Sequence, residues 1–146
     1  MSTASINQPA ARGGLLRAAG ATLVAALVAN LVIWAIARAI SDVPDRFTPL
    51  QPGTVVFFTV LGVAGAAGLL ALLRSPVADP AATFRKIVPV VLVVSLIPDV
   101  LIWAQGAYDD AAKAETVLPL MAMHIVTAAI CWAILPAAGR RSERRP

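Results

Sequence analysis

Four long apolar segments alternate with short polar segments along the chain. The apolar segments cover about residues 15–40, 54–73, 87–105 and 116–138. At about 1.5 Å per helical residue, each can cross a hydrocarbon core of about 30 Å. The pattern therefore predicts an all-α integral membrane protein, a bundle of four transmembrane helices.

Polar segments at both ends of the chain set the predicted domain boundaries. Residues 1–11 are small and polar and are predicted to form a disordered N-terminal tail, residues 12–138 a single transmembrane domain, and residues 139–146 a basic tail. A secretory signal peptide is the competing interpretation of the first apolar segment, because residues 35–37 resemble a cleavage site. A signal hydrophobic region is only about 7–15 residues long, so we interpret this segment as an uncleaved helix.

The composition supports this class. Hydrophobic residues make up 59% of the chain and charged residues 14%, whereas soluble domains have about 45–50% and about 25%. The lipid bilayer is therefore the first expected partner.

The net charge of +4 would also suit a nucleic-acid binder, but the basic residues cluster at the ends of apolar segments. On one side of the predicted bundle lie Arg12, Arg17, Arg74, Arg85, Lys86, Arg140, Arg141, Arg144 and Arg145. On the other side lie Arg38, Arg46 and Lys113. Basic residues favour the cytoplasmic side. We therefore expect no nucleic-acid partner, and a multi-pass protein of the bacterial inner (plasma) membrane with both termini in the cytoplasm.

Polar side chains interrupt all four apolar segments. The candidate intramembrane cluster for polar contacts or a ligand is Asn30, Thr59, Ser95, Asp99 and His124. Counted at about 1.5 Å per residue, Asp99 and His124 both lie roughly 9–12 Å from the same surface. The short connection between the third and fourth helices makes those helices antiparallel neighbours, so this carboxylate and this imidazole are placed to meet.

Pro98 precedes the carboxylate directly. A proline inside a helix removes the hydrogen bond to the carbonyl four residues earlier, that of Val94, and is expected to kink or open the helix there. Ser95 is positioned to form a hydrogen bond within the weakened turn. This would leave a polar, irregular patch facing the bundle interior.

Small residues recur on the first two predicted helices. They are Ala21, Ala25 and Ala29 on the first and Gly62, Gly65 and Gly68 on the second. Small residues let membrane helices approach closely, so we expect these two faces to pack on each other.

Few chemistries fit this chain. The single cysteine, Cys131, excludes an intrachain disulfide. One histidine and one nearby carboxylate supply too few ligands for a typical zinc site, and common hydrolase and phosphate-loop motifs are absent. We therefore expect no metal and no cofactor, and we assign no catalytic residue.

Several short motifs carry a family resemblance. They are Leu15–Leu16–Arg17 ahead of an alanine-rich first helix with Asn30–Leu31–Val32–Ile33–Trp34, then Ser95–Leu96–Ile97–Pro98–Asp99, then Met123–His124 followed by Ala128–Ala129. Over roughly residues 12–138 the chain resembles the actinobacterial four-helix membrane family of domain of unknown function 6069. The resemblance implies an integral membrane protein and no particular activity.

Three functional hypotheses remain. We favour a structural or accessory membrane protein that acts through helix contacts, as a homo-oligomer or with another membrane protein. The alternative is a binding or transport protein, as a dimer if it forms a transport pathway, with an outward-facing polar pocket around Asp99 and His124. A membrane enzyme that uses Asp99 to orient His124 as a base ranks last, because no nucleophile accompanies the pair.

Overall fold

The computed structural model describes residues 8–106, 108 and 112–137, with side chains described from residue 13 onward. Its helices are α1 (Gln8–Ile40), α2 (Pro52–Leu73), α3 (Pro80–Ala104) and α4 (Ala114–Ile134). A short 3₁₀ turn, Thr48–Leu50, precedes α2. All four α-helices are long and apolar enough to cross a membrane, which confirms the predicted four-helix, all-α fold.

The helix boundaries differ most from the predicted ones at the N-termini of α1 and α3, whereas α2 and α4 each begin two residues early and α4 ends at Ile134. α1 begins at Gln8, so residues 8–11 of the predicted tail are helical. α3 begins at Pro80 rather than at residue 87, because Asp79 is its N-cap and accepts a hydrogen bond from the Ala82 backbone N–H at 2.9 Å. Proline at the first helical position favours this start. Residues 1–7 and the basic tail, 139–146, lie outside the described residues.

The two prolines within α3 do not divide it. The helix is continuous from Pro80 to Ala104, through Pro89 and Pro98. Ser95 uses its hydroxyl within the helix, donating to the Leu92 carbonyl oxygen at 2.8 Å. The helix therefore does not break at Pro98.

Two buried apolar clusters form the core, one toward each end of the bundle. The first cluster surrounds Phe47 and Leu50, where residues 41–51 pack beside the loop that joins α3 to α4. The second cluster includes Phe84 and Leu135 and lies toward the end that carries both termini. We call the end of the bundle near the first cluster the two-loop end, and the end near the second cluster the termini end. Polar residues on all four helices fall between the two clusters.

The helices do not contact one another equally. α1 packs extensively on both α2 and α4, and α3 packs on α4, whereas α2 and α3 share fewer contacts. The bundle is therefore least tightly closed between its second and third helices.

The predicted packing through small residues is wrong. It paired Ala21, Ala25 and Ala29 with Gly62, Gly65 and Gly68. A Cβ atom added to any of these three glycines would meet no neighbouring atom within 4 Å among the described residues. The buried face of α2 carries Thr59 and Val63 instead, four residues apart and so on one side of the helix. α1 and α2 meet there, with Ala26 and Val63 in one buried cluster.

We predict that Asp79→Ala destabilises the bundle by about 1 kcal/mol, because it removes the side-chain cap of α3. Unfolding by sodium dodecyl sulfate in mixed micelles measures this change. Asp42→Ala is the matched control, since Asp42 is also an exposed acid in a connecting segment but is not an N-cap. Equal effects of the two substitutions would contradict the assignment of the cap.

Candidate functional site

The side-chain amide of Asn30 joins three helices. Asn30 is 3% exposed, and its Nδ2 donates to the hydroxyl oxygens of Thr59 on α2 and Thr127 on α4, both at 2.9 Å. The Thr59 hydroxyl in turn donates to the Val55 carbonyl oxygen at 2.7 Å. Because that hydroxyl hydrogen is already used, Thr59 can only accept from the amide, which assigns the orientation of the Asn30 side chain. The buried Asn30 Oδ1 has no hydrogen-bond partner among the described residues.

The predicted contact between α3 and α4 is also present. Asp99, 5% exposed, brings its Oδ2 to 3.1 Å from Nδ1 of His124. The same Nδ1 lies 2.9 Å from the Leu120 carbonyl oxygen, one turn earlier on α4. The hydrogen bond to the carbonyl is the better aligned, so the buried Asp99 Oδ2 has no aligned donor in the described part of the chain.

These neighbours assign the imidazole tautomer. Both oxygens around Nδ1 of His124 are acceptors, so this nitrogen carries a hydrogen. In the neutral ring the opposite nitrogen, Nε2, is then an acceptor. The His124 side chain is 38% exposed, against 7% for that of Asp99. The carboxylate is therefore the deeper member of the pair.

A cavity of about 820 Å³ lies between α2 and α3. All five residues of the predicted polar cluster line it, together with Thr127. Their arrangement around one cavity is observed, and their role as a binding site stays a prediction.

The character of the cavity lining changes along its length. Asn30, Asp99 and His124 form its polar middle, and Phe84 and Cys131 line the part toward the termini end. That part is apolar and belongs to the second buried cluster. The cavity therefore has a polar middle section and an apolar section toward the termini end.

The rim at the two-loop end includes a contact between two loops. Thr48 Oγ1 lies within hydrogen-bonding distance of the Tyr108 hydroxyl, at 3.1 Å. The Tyr108 ring also packs edge-on against Phe47, with ring centroids 5.4 Å apart. Tyr108 adopts a left-handed backbone conformation, with φ of 66°, which is uncommon for a residue with a side chain.

Charged and metal-binding groups are sparse in this site. No Lys or Arg is among the described residues that line the cavity. No group of three or more His, Cys, Asp or Glu side chains placed to hold a metal ion occurs in the described ranges. Asp99 is the one carboxylate among the described lining residues.

Sequence reasoning missed two contributors. Thr127 lies one turn after His124, on the same side of α4, and this i, i+3 spacing is a signal that could have identified it. The contact of Tyr108 with Thr48 joins loops separated by 60 residues. No sequence pattern indicated that contact.

Together these features define a small multi-pass membrane protein, a four-helix bundle with a polar layer and a cavity between two of its helices. The chain matches the family of unknown function DUF6069 over residues 10–141. It belongs to that family, which confirms the predicted membership. No curated protein and no solved structure matches the chain.

We predict that Thr59→Val destabilises the bundle by about 1 kcal/mol. Valine has a similar shape but lacks the hydroxyl, so Asn30 loses one of its two acceptors. Hydrogen bonds between membrane helices average about 0.6 kcal/mol, and a buried unpaired donor adds a penalty. Thr83→Val makes the same chemical change outside the polar layer and is the control in the same unfolding assay. A Thr59→Val bundle as stable as the Thr83→Val bundle would contradict the role of Asn30.

Proposed function

We propose that this protein binds a small molecule with an apolar body, held within the bilayer in the cavity between α2 and α3. The polar end of that molecule contacts Asn30, Asp99 and His124. One observation carries the proposal: two buried acceptors, Asn30 Oδ1 and Asp99 Oδ2, belong to residues that line a cavity and have no aligned donor among the described residues.

The size of the cavity supports a ligand. Its volume of about 820 Å³ falls within the range of about 300–1,000 Å³ that is usual for small-molecule sites. Such sites are mostly apolar with a few placed polar groups, which is the composition of this lining.

The energetics of the polar layer also favour a ligand over a purely structural role. A buried polar group without a hydrogen-bond partner lowers the stability of the folded protein by about 1–3 kcal/mol. A membrane interior offers no bulk water to replace the partner. The Asn30 amide hydrogens stabilise the bundle, but its Oδ1 and the Asp99 carboxylate do not complete a closed network. A ligand that supplies donors would satisfy both.

The surroundings of the cavity support entry from the lipid. Phe58 on α2 and Val91 on α3 line it from its two sides and are 59% and 52% exposed. These two helices also share fewer contacts than the other neighbouring pairs. A molecule dissolved in the bilayer would therefore reach the cavity between α2 and α3.

We further propose that the protein resides in the bacterial inner membrane with both termini in the cytoplasm. The excess of Lys and Arg at the termini end supports this orientation. The two-loop end, with Tyr108 and Thr48, would then face outward. The polar layer would lie in the outer half of the bilayer.

Single-cysteine labelling tests the orientation. In a Cys131→Ser background, we expect Asp42→Cys to react with a membrane-impermeant maleimide in intact cells, because residue 42 lies at the two-loop end. Ser75→Cys, at the termini end, should react only after permeabilisation. The reverse pattern would contradict the proposed orientation.

Filling the cavity tests the binding proposal. His124 is the only histidine in the chain, so ¹⁵N-histidine labelling gives a ring signal from one position. In phosphatidylcholine nanodiscs, we expect dodecanol to shift this signal saturably. Gly65→Leu should weaken this binding by about tenfold, since the added side chain occupies space where sites usually hold apolar ligand groups.

Gly68→Leu is the matched control. Gly68 lies on the same helix with open space around it but is not among the residues that line the cavity. Its substitution should leave dodecanol binding unchanged. A non-saturable shift, or equal effects of the two substitutions, would contradict binding in this cavity and leave the polar layer with a structural role.

A further inference from the structure

We infer that the polar end of the ligand is a primary ammonium group on an apolar chain. This rests on the proposed function and names the chemistry of the ligand for that same cavity. The structural basis is a set of residues that line an otherwise apolar cavity and carry unused hydrogen-bond acceptors, one of them a carboxylate.

Four polar residues of the lining already direct their hydrogens at other atoms of the protein. Ser95 donates to Leu92, Thr59 donates to Val55, and the Asn30 amide donates to two threonines. His124 directs its Nδ1 hydrogen at Leu120. What these groups still offer to the cavity is acceptor capacity.

The remaining acceptors belong to three helices. They are Asn30 Oδ1, the Asp99 carboxylate and, in the neutral ring, His124 Nε2, with the Ser95 hydroxyl oxygen on the same face of α3 as Asp99. A ligand suited to them must donate several hydrogen bonds from one small group. A primary ammonium has three N–H donors and no acceptor, as the lysine side chain does.

The charge of the cavity lining also favours a primary ammonium group. Asp99 is the one carboxylate among the described residues that line the cavity, and none of those residues is Lys or Arg. A ligand whose only charged group is a carboxylate or a phosphate would meet Asp99 with no Lys or Arg in the described lining to balance it. An ammonium would form a charge-assisted hydrogen bond with Asp99, and such bonds are roughly twice as strong as neutral ones.

The apolar section of the cavity can hold the apolar chain of the ligand. The acceptors lie between the two apolar clusters, and the section toward the termini end is lined by Leu69, Phe84 and Val88. An apolar chain fits that section while the ammonium contacts Asp99. Both parts of an amphiphilic amine therefore have a matching surface in one continuous cavity.

Four probes with the same twelve-carbon chain test this inference through the His124 ¹⁵N signal in phosphatidylcholine nanodiscs. They are dodecylamine, dodecanol, dodecanoate and dodecyltrimethylammonium. We expect dodecylamine to saturate at a mole fraction about tenfold lower than dodecanol, because its donors are charged. Dodecanoate should cause no saturable shift. Dodecyltrimethylammonium brings the same charge to the bilayer without N–H donors, so it controls for surface charge and should bind at least tenfold more weakly than dodecylamine.

Asp99→Asn gives the second arm of the test. It keeps the shape of the side chain and removes its charge, so we expect the preference for dodecylamine over dodecanol to fall to about twofold or less. If this variant does not fold, the four-probe comparison on the unaltered protein still decides the question. Phosphatidylethanolamine in the nanodisc distinguishes sources of the ammonium. Competition with dodecylamine would identify a phospholipid as the source, and its absence a single-chain amine.

Several results would overturn the inference. Dodecylamine binding no tighter than dodecanol, equal binding of dodecyltrimethylammonium, or an Asp99→Asn variant that keeps the amine preference would each do so. Saturable dodecanol binding alongside any of these would leave the proposed function intact. If none of the four probes binds saturably, the proposed function and this inference both fail.

Discussion

The hydrogen bonds of one buried amide hold three of the four helices together. A membrane interior has no bulk water to pair with a polar side chain, so Asn30 on α1 must find its partners within the protein. It finds them in Thr59 on α2 and Thr127 on α4. α3 joins the bundle differently, through the contact of Asp99 with His124 on α4. Among the described residues no hydrogen bond links α2 directly to α3, and the cavity lies between these two helices.

The polar layer and the cavity are therefore parts of one arrangement. Apolar clusters on either side of the layer supply the packing that holds the helices, which leaves the middle of the bundle free to carry polar groups. Because α4 contributes both Thr127 and His124, it fixes α1 and α3 relative to each other. α2 is attached mainly to α1, and its side toward α3 borders the cavity.

Much of the fold was predictable because a bilayer imposes a simple rule on sequence. Each span must be apolar over about 20 residues, and this rule located all four helices. The errors occurred where local chemistry overrides hydropathy. Asp79 and Pro80 start α3 ahead of its apolar run, which is a capping signal rather than a hydrophobic one. The glycines of α2 were expected to contact α1, but a Cβ atom added to any of the three meets no described neighbour within 4 Å, because small residues make close approach possible without requiring it.

The sequence by itself determined the class of protein, the number of spans, and the height along the helices at which Asn30, Thr59, Ser95, Asp99 and His124 lie. This height follows from position in a helix, since each residue advances by about 1.5 Å. Only the tertiary structure decided how those residues pair, that Thr127 completes the Asn30 network, and that a cavity separates α2 from α3. Rotation of each helix about its axis and the choice of its neighbours control these features. Both depend on the packing of all four helices at once, which no single segment encodes.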